Sequence, residues 1–168
     1  AIKALGKIKD EEAVPALIRA INDEEDGTVR CKAALALGKI GDKRAIDPLI
    51  ERLQEEKYWY VRRDVMKALS KLEAVKAIPE LVRKTRDMYD DVREGAIDAL
   101  ISLGNPANKD ILNIFFTKPQ HPKLKRYIKE NFTPEEMRDT IKELIKEQPS
   151  KMQKERLESF LEKLNDFF

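Results

Sequence analysis

The amino-acid sequence predicts an all-α protein: a right-handed α-solenoid of repeated helix pairs, followed by a helical C-terminal cap that does not repeat. Three observations predict this fold class. The chain resembles itself at a step of about 32 residues, apolar residues in each copy follow the i, i+3, i+4, i+7 spacing of an amphipathic helix, and no segment alternates with period two as a strand would. We assign residues 1–117 to the repeat array and 118–168 to a cap packed on it.

The clearest copy of the repeat is the stretch from Val29 to Leu53. Its ALGKI run at 36–40 recurs at 4–8, and its Val29-Arg30 pair recurs as Val61-Arg62. A fourth copy starts near Asp91 and has one residue deleted. A helix pair with one apolar side cannot bury that side alone, so successive pairs are expected to stack around a continuous core. Because the ALGKI run at 4–8 corresponds to the end of a first helix, we expect the first unit to be truncated at its N-terminus.

Start and stop signals place the helices within each unit. Asp10 is expected to cap the second helix of the first unit, and Asp42 that of the second unit. The first helix of the second unit is predicted from about Thr28 to Ile40, with its end at Gly41. The third unit departs from this pattern, because Glu73-Ala74 replaces the Gly-Asp pair.

Gly38 lies inside the first helix of the second unit, where glycine costs about 1 kcal/mol relative to alanine. Gly6 and Ser70 hold the matching positions in the neighbouring units, and all three residues are small. We therefore predict that this position allows two helices to pack closely.

Three further helices are predicted after the repeat fades. The first spans about 123–131, the second begins with the capping box Thr133-Pro134-Glu135-Glu136, and the third follows Pro149-Ser150. Phe160 lies on the apolar stripe of the third helix and is expected in the core. The pair Phe167-Phe168 is open to three interpretations: a fold-back onto the cap, a self-association surface, or a truncation.

The composition is highly charged but balanced. Charged residues make up 38% of the chain, and 33 basic against 31 acidic side chains leave a net charge of +2. Such a balance gives no overall field for steering the protein to nucleic acid or anionic lipid. One cysteine cannot form an internal disulfide, and no apolar run approaches the length of a membrane span. We expect a soluble, cytoplasmic protein that does not enter a membrane.

The second unit contains four motifs in succession: Asp26-Gly27-Thr28-Val29-Arg30, Ala33-Ala34, Ala36-Leu37-Gly38-Lys39-Ile40-Gly41-Asp42 and Ala45-Ile46-Asp47-Pro48-Leu49-Ile50. In these motifs it resembles the short HEAT-like repeat, also called the phycobilin-lyase HEAT-like repeat. The resemblance covers about residues 1–103 and implies a solenoid whose second helices line a concave face. It does not choose a function, because the family includes scaffolds, adaptors, bilin lyases, a metal-dependent hydroxylase and DNA-repair glycosylases.

The residues that could carry chemistry are few. The hydroxylase branch, as the resemblance implies, needs several His-Glu pairs to hold two irons, whereas this chain has one histidine, His121. Cys31 has no histidine near it in the repeat pattern and lies beside apolar positions of a helix. We interpret it as a small buried residue and His121 as a loop residue. We therefore expect no catalytic residue, no metal site and no cofactor.

Arg30, Arg62 and Arg93 recur at one place in the units. In HEAT-like repeats an arginine at this place joins a ladder with acidic groups of adjacent units, and we assign that structural role here. The alternative is a basic row that binds phosphates, which should extend to neighbouring outward positions.

That extension is weak on the second helices. Their outward positions alternate in sign, and the three columns hold Arg19, Glu51 and Arg83, then Ala20, Arg52 and Lys84, then Asp23, Glu55 and Asp87. A local basic patch remains at Arg83, Lys84 and Arg86. Nucleic-acid binding through this patch is kept as an alternative function.

Three consecutive aromatic residues, Tyr58-Trp59-Tyr60, fall in the turn between the second and third units. Neighbouring residues at a helix start point about 100° apart, so at least one of the three should be exposed. Either Trp59 or Tyr60 packs under the turn, or Tyr58 and Trp59 form a contact for a partner, since exposed Trp, Tyr and Arg dominate binding energy.

From these observations we predict a noncatalytic scaffold or adaptor that holds another protein through its concave helix row and its inter-repeat turns. The residues expected to contact the partner are Tyr58, Trp59, Arg83, Lys84 and Arg86. Two alternatives remain: a nucleic-acid-binding module, and a subunit of a bilin-lyase-type enzyme. The partner's identity and the oligomeric state are left open.

Overall fold

The computed structural model describes residues 11–118, 121–147 and 150–168. They form two compact units that divide between Ala107 and Asn108, and we call the part up to Ala107 unit 1 and the part from Asn108 unit 2. All regular secondary structure in the described ranges is helical. The helix end predicted at 4–8, the cap predicted at Asp10 and the truncation predicted for the first repeat lie outside the described residues.

Unit 1 contains six α-helices in its described residues, three of them second helices of a repeat and three first helices. They are α1 Val14–Asp23, α2 Gly27–Ile40, α3 Ile46–Glu55, α4 Trp59–Lys71, α5 Ile78–Lys84 and α6 Asp90–Leu103. A single 3₁₀ turn precedes α1, α3 and α5, at Glu11–Ala13, Lys43–Ala45 and Val75–Ala77. A 3₁₀ turn followed directly by the second helix thus recurs in the first three repeats.

The helices of unit 1 stack in two rows. The first helices α2, α4 and α6 contact one another in succession, α3 contacts both α1 and α5, and each second helix packs on the first helix of the next unit. Apolar residues at the predicted helical spacing fill the seam between the rows, among them Leu37, Val61, Val65 and Leu69, all 0% exposed. The all-α repeat architecture predicted from the sequence is confirmed in this unit.

Gly38 lies where two first helices come closest. A Cβ atom at this position would lie 2.8 Å from Ala68 Cα and 3.0 Å from Ala68 Cβ. Because the nearest atom belongs to backbone, the neighbouring helix would have to move to admit even a methyl group. The predicted close packing at Gly38 is confirmed, and it joins α2 to α4.

The turns inside the second and third units use different residues for one backbone path. Gly41 ends α2 with a left-handed φ of 87°, and the Asp42 side chain accepts the backbone N–H of Arg44 at 2.8 Å. In the third unit Glu73 takes the left-handed position with a φ of 51°. Ala74 follows it and offers no side-chain cap.

Unit 2 has five helices in its described residues: α7 Asn108–Thr117, α8 Pro122–Asn131, α9 Pro134–Glu147, α10 Lys151–Glu162 and α11 Leu164–Phe167. Thr133 and Glu136 form the predicted capping contacts at the start of α9. The boundary between the units falls after Ala107, whereas the sequence placed it after residue 117.

The physical reason for this earlier boundary is an aromatic cluster that ties α7 to the C-terminal helices. The ring of Phe115 lies 5.8 Å from that of Phe160 and 5.6 Å from that of Phe167. Phe167 therefore folds back inside unit 2, which was one of the three interpretations, while Phe168 is 41% exposed. Phe160 was expected in the core, yet it is only half-buried because one side of its ring faces a groove.

Candidate functional site

Each turn between two successive repeats is held by an arginine at the fourth position of the helix that follows the turn. The Nη1 atom of Arg30 donates to the carbonyls of Glu24 and Glu25, at 2.6 and 3.0 Å. Arg62 repeats this with two carbonyls at 3.0 and 2.8 Å, and Arg93 with two at 2.7 and 3.1 Å. One side chain thus satisfies two carbonyls that lie outside any helix, which fixes the path of each inter-repeat turn.

Arg30 also reaches forward to the next unit. Its Nε donates to Glu56 Oε2 at 2.8 Å and its Nη2 to Glu56 Oε1 at 3.0 Å, and Glu56 Oε1 also accepts the backbone N–H of Tyr58 at 2.9 Å. The Glu56 side chain is 1% exposed. Burial acts to raise the pKa of Glu56, but the hydrogen bonds from Arg30 and from the Tyr58 N–H outweigh it, so that pKa is lowered.

Arg62 makes the equivalent forward contact with a shorter acid. Its Nη2 donates to Asp87 Oδ1 at 2.9 Å, and the backbone N–H of Tyr89 donates to the same oxygen at 3.1 Å. The Nε of Arg62 is buried and has no hydrogen-bond partner among the described residues. Aspartate is one methylene shorter than glutamate, and this rung therefore has one hydrogen bond fewer.

These contacts correct the register of the repeat. The sequence columns aligned Asp87 with Glu55, but the arginine bonds make Asp87 the counterpart of Glu56. The one-residue deletion therefore lies before Asp87. Arg93, the third predicted ladder residue, pairs with Asp90 of its own helix.

An aromatic ring covers each forward-reaching arginine. The guanidinium carbon of Arg30 lies 5.6 Å from the ring centre of Tyr58, and that of Arg62 lies 5.6 Å from the ring centre of Tyr89. Both distances are within the range of a cation–π interaction. An acid, any residue and a tyrosine thus form one recurring turn, which occurs at 56–58 and again at 87–89.

The rings also join the two turns into one surface. Trp59 stacks on Tyr89 with ring centres 6.3 Å apart, and Arg63 lies 5.5 Å from the ring centre of Trp59. Tyr58 is 49% exposed, Tyr89 42% and Met88 81%, while Trp59 is half-buried. We call the five residues Tyr58, Trp59, Arg63, Met88 and Tyr89 the turn surface.

The predicted aromatic run divides between solvent and the turn. Tyr58 is exposed, and Tyr60 turns back over Gly27, where an added Cβ atom would lie 2.5 Å from the tyrosine hydroxyl. Trp59 is half-buried, between the exposed Tyr58 and the packed Tyr60. The sequence analysis did not predict Met88 and Tyr89 as members of the surface. The alignment of Tyr89 with Tyr58 was the signal that could have identified Tyr89.

Two cations of the basic patch predicted at the end of α5 share one buried carboxylate. Glu80, whose side chain is 4% exposed, pairs with Arg83 at 2.9 Å and with Lys84 at 3.2 Å. Lys84 is itself half-buried, and Arg86 is exposed. Arg83 and Lys84 lie on α5, and Arg86 lies just beyond its end. None of the three takes part in the ring contacts described above for the turn surface.

Two further observations bear on chemistry. Cys31 is buried, and burial raises the pKa of its thiol to about 12, so the thiol is protonated at neutral pH. Within the described ranges, no group of three His, Cys, Asp or Glu side chains is arranged to hold a metal ion. No helix among the described residues is long and apolar enough to cross a membrane.

The fold and its contacts together define unit 1 as an α-helical repeat array in which arginine side chains hold the inter-repeat turns. A family model described as HEAT repeats matches residues 1–70, which confirms the predicted resemblance to HEAT repeats over that part of the chain.

Solved structures with a similar fold include an engineered protein from the Northeast Structural Genomics Consortium. It is 15% identical, with a TM-score of 0.53, over 99% of this chain and 89% of that one. The complex of CpcE and CpcF of phycocyanin lyase from Nostoc sp. PCC7120 also matches, at 22% identity and a TM-score of 0.38, over 97% of this chain and 87% of that one. A search of curated proteins finds no match.

Proposed function

We propose that unit 1 is a noncatalytic protein-binding module and that the turn surface is its principal contact with the partner. The single observation that carries this proposal is a set of aromatic, methionine and arginine side chains at two adjacent turns, of which Tyr58, Met88 and Tyr89 are exposed and Trp59 and Arg63 are half-buried. These residue types dominate binding energy at protein interfaces. HEAT repeats commonly mediate protein interaction, which agrees with the proposal.

The rigidity of the turns supports the same function. Arg30 and Arg62 hold the carbonyls of the turns from inside, and Tyr58 and Tyr89 rest on these arginines from outside. A partner would therefore meet rings that already have their bound orientation. Preorganised side chains lose less conformational entropy on binding, so more of the contact energy appears as affinity.

The alternatives have less support in the contacts. Nucleic-acid binding relied on the patch at Arg83, Lys84 and Arg86, and two of these three residues share the buried carboxylate of Glu80. A nucleophilic role for Cys31 would need a thiolate, whereas its thiol is protonated at neutral pH. The row of second helices presents Arg19, Glu51 and Arg83 at its outward positions, and we assign it a secondary part in the contact.

Site-specific photo-crosslinking in the cells of origin tests the proposal. A photoreactive residue replaces Lys57, beside the turn surface, or Val75, which is 49% exposed at the turn inside the third unit. We expect a discrete protein adduct from position 57 and none from position 75. Equal adducts from both positions, or adducts that contain nucleic acid, would contradict the proposal.

Substitutions then separate binding from folding. Met88→Asp should weaken capture of that partner by about tenfold or more while the fold persists, because the Met88 side chain is 81% exposed. Val75→Asp is the matched control, with an exposed apolar side chain outside the turn surface, and it should leave capture unchanged. A partner that Met88→Asp and Trp59→Ala both leave bound would place the contact elsewhere.

A further inference from the structure

Unit 2 contains a groove that takes no part in the repeat contacts. It has a volume of about 620 Å³ and lies between one side of α10 and the C-terminal end of α7. The lining residues are Phe116, Thr117, Met152, Glu155, Arg156, Ser159, Phe160 and Lys163.

The floor of the groove is apolar and comes from the aromatic cluster. The rings of Phe116 and Phe160 lie 5.1 Å apart, edge to face, and Phe160 is half-buried. Met152 stands at one end and is 61% exposed. An unbranched thioether adapts its shape to an apolar partner, and methionine is frequent on surfaces that bind helices. The floor is therefore suited to apolar side chains from outside unit 2.

The rim of the groove is basic. Arg156 and Lys163 stand along one side and belong to no ion pair among the described residues, while the one acid of the lining, Glu155, lies 4.0 Å from Lys151. The groove residues contributed by α7, Phe116 and Thr117, carry no charge. The lining thus carries two cations and one acid, a net charge of +1, above an apolar floor.

The length of the groove matches a helix. Its lining runs along α10 from Met152 and ends at Lys163, the residue just after α10, which corresponds to about 16 Å at 1.5 Å per residue. A helix of about three turns has this length, and an amphipathic helix laid in an apolar groove is a recurrent mode of peptide recognition. A helix packed beside α10 would place its apolar stripe on Phe116 and Phe160 and its flanking side chains at Arg156 and Lys163.

We propose that this groove is a second docking site, which binds an amphipathic helix of a partner protein whose apolar stripe is flanked by acidic residues. Arg156 and Lys163 favour acidic residues at the flanks of the bound helix. The length and the apolar floor of the groove favour a helix with an apolar stripe. This site is independent of the turn surface, since all of its lining residues belong to unit 2.

Stapled helical peptides of about 14 residues test the proposal with the full chain. Three peptides share one leucine stripe and carry Glu, Gln or Lys at the flanking positions, and fluorescence anisotropy measures their affinity. We expect the Glu peptide to bind at least about tenfold more tightly than the Lys peptide, with a preference that shrinks as salt is added. Equal affinities, or no binding of the Glu peptide, would overturn the proposal.

Two sets of variants locate the site. The double substitution Arg156→Glu and Lys163→Glu should reverse the preference toward the Lys peptide, and Met152→Asp should weaken all three peptides. Trp59→Ala is the matched control in unit 1 and should leave peptide binding unchanged, so failure here is distinct from failure of the turn surface. If the groove instead mediates a concentration-dependent dimer that Met152→Asp dissolves, or binds dodecanoate but no peptide, the proposal is wrong.

Discussion

The second and third repeat units follow one backbone plan with different residues at both kinds of turn. The second unit has Gly41 and Asp42 between its helices and a two-bond contact from Arg30 to Glu56. The third has Glu73 and Ala74, and a one-bond contact from Arg62 to Asp87. The features common to both repeats therefore determine the fold, whereas the features found in one repeat change its stability.

What the units share is the apolar seam and the arginine bonds to turn carbonyls. Leu37 and Leu69 occupy matching positions and are both 0% exposed. Arg30 and Arg62 each donate to two carbonyls of the preceding turn. Substitutions where the second and third repeats differ test what each difference contributes to stability. Trp59, the single tryptophan, reports unfolding of unit 1 by fluorescence.

The largest expected effect comes from removal of Glu56. Glu56→Ala leaves Arg30 buried without its carboxylate and should cost about 3 kcal/mol of unfolding free energy, measured by urea denaturation. Asp87→Ala is the matched change in the next rung. It should cost about half as much, because Asp87 accepts one bond from Arg62. Glu56 also lies 3.5 Å from Arg52 Nε. Equal costs would therefore show that neither the second bond of Arg30 nor the Arg52 contact contributes.

The same rung sets a pH dependence. The pKa of Glu56 is lowered in the fold from its ordinary value of 4.5. Its contribution to stability is therefore fully present above pH 4.5 and is lost as the pH falls through the folded-state value. Glu56→Gln should be less stable than the natural protein at neutral pH and should lose less stability on acidification. Parallel pH profiles for the two proteins would refute this assignment.

A methyl group at Gly38 should destabilise unit 1 by about 2 kcal/mol, because the added atom would meet the backbone of Ala68. The measurement is the midpoint of urea unfolding for Gly38→Ala. Ser70→Ala, at the matching position of the third unit, is the control and should change stability by no more than about 0.5 kcal/mol. A neutral Gly38→Ala would mean that α2 and α4 separate at little cost.

Asp87→Glu should make the third unit more like the second. The longer side chain can reach the unpartnered Nε of Arg62, as Glu56 reaches that of Arg30, and the expected gain is about 1 kcal/mol. Thermal unfolding followed through Trp59 measures it. The gain should vanish in an Arg62→Lys background, since lysine has one nitrogen in place of the separate Nε and Nη2 donors of the guanidinium. A gain that persists there has another cause.

The smallest expected effect is at Glu73. Its left-handed φ of 51° is strained for a residue with a side chain, so Glu73→Gly should raise stability by about 0.5 kcal/mol after the entropy cost of glycine is subtracted. Gly41→Glu is the reverse substitution and should lower stability. Chemical denaturation of both variants provides the comparison, and a loss in Glu73→Gly would show that the turn is not strained.

The candidate site was only partly predictable. The recurrence of Arg30 and Arg62 pointed to a ladder, and the run at 58–60 pointed to an exposed ring. The acids of the ladder, Glu56 and Asp87, could not be assigned because a one-residue deletion shifts the register and many acids lie nearby. Only the three-dimensional contacts show which carboxylate each arginine reaches.

The sequence by itself determined the all-α class, the repeat and most helix ends, because these depend on local spacing of apolar residues and on turn residues such as Gly41 and Asp42. Tertiary structure alone decided which residues meet: that Trp59 stacks on Tyr89, that Arg83 and Lys84 share Glu80, and that α7 belongs with the C-terminal helices. The physical reason is that periodicity records which side of a helix is buried. It does not record the neighbour against which that side is buried.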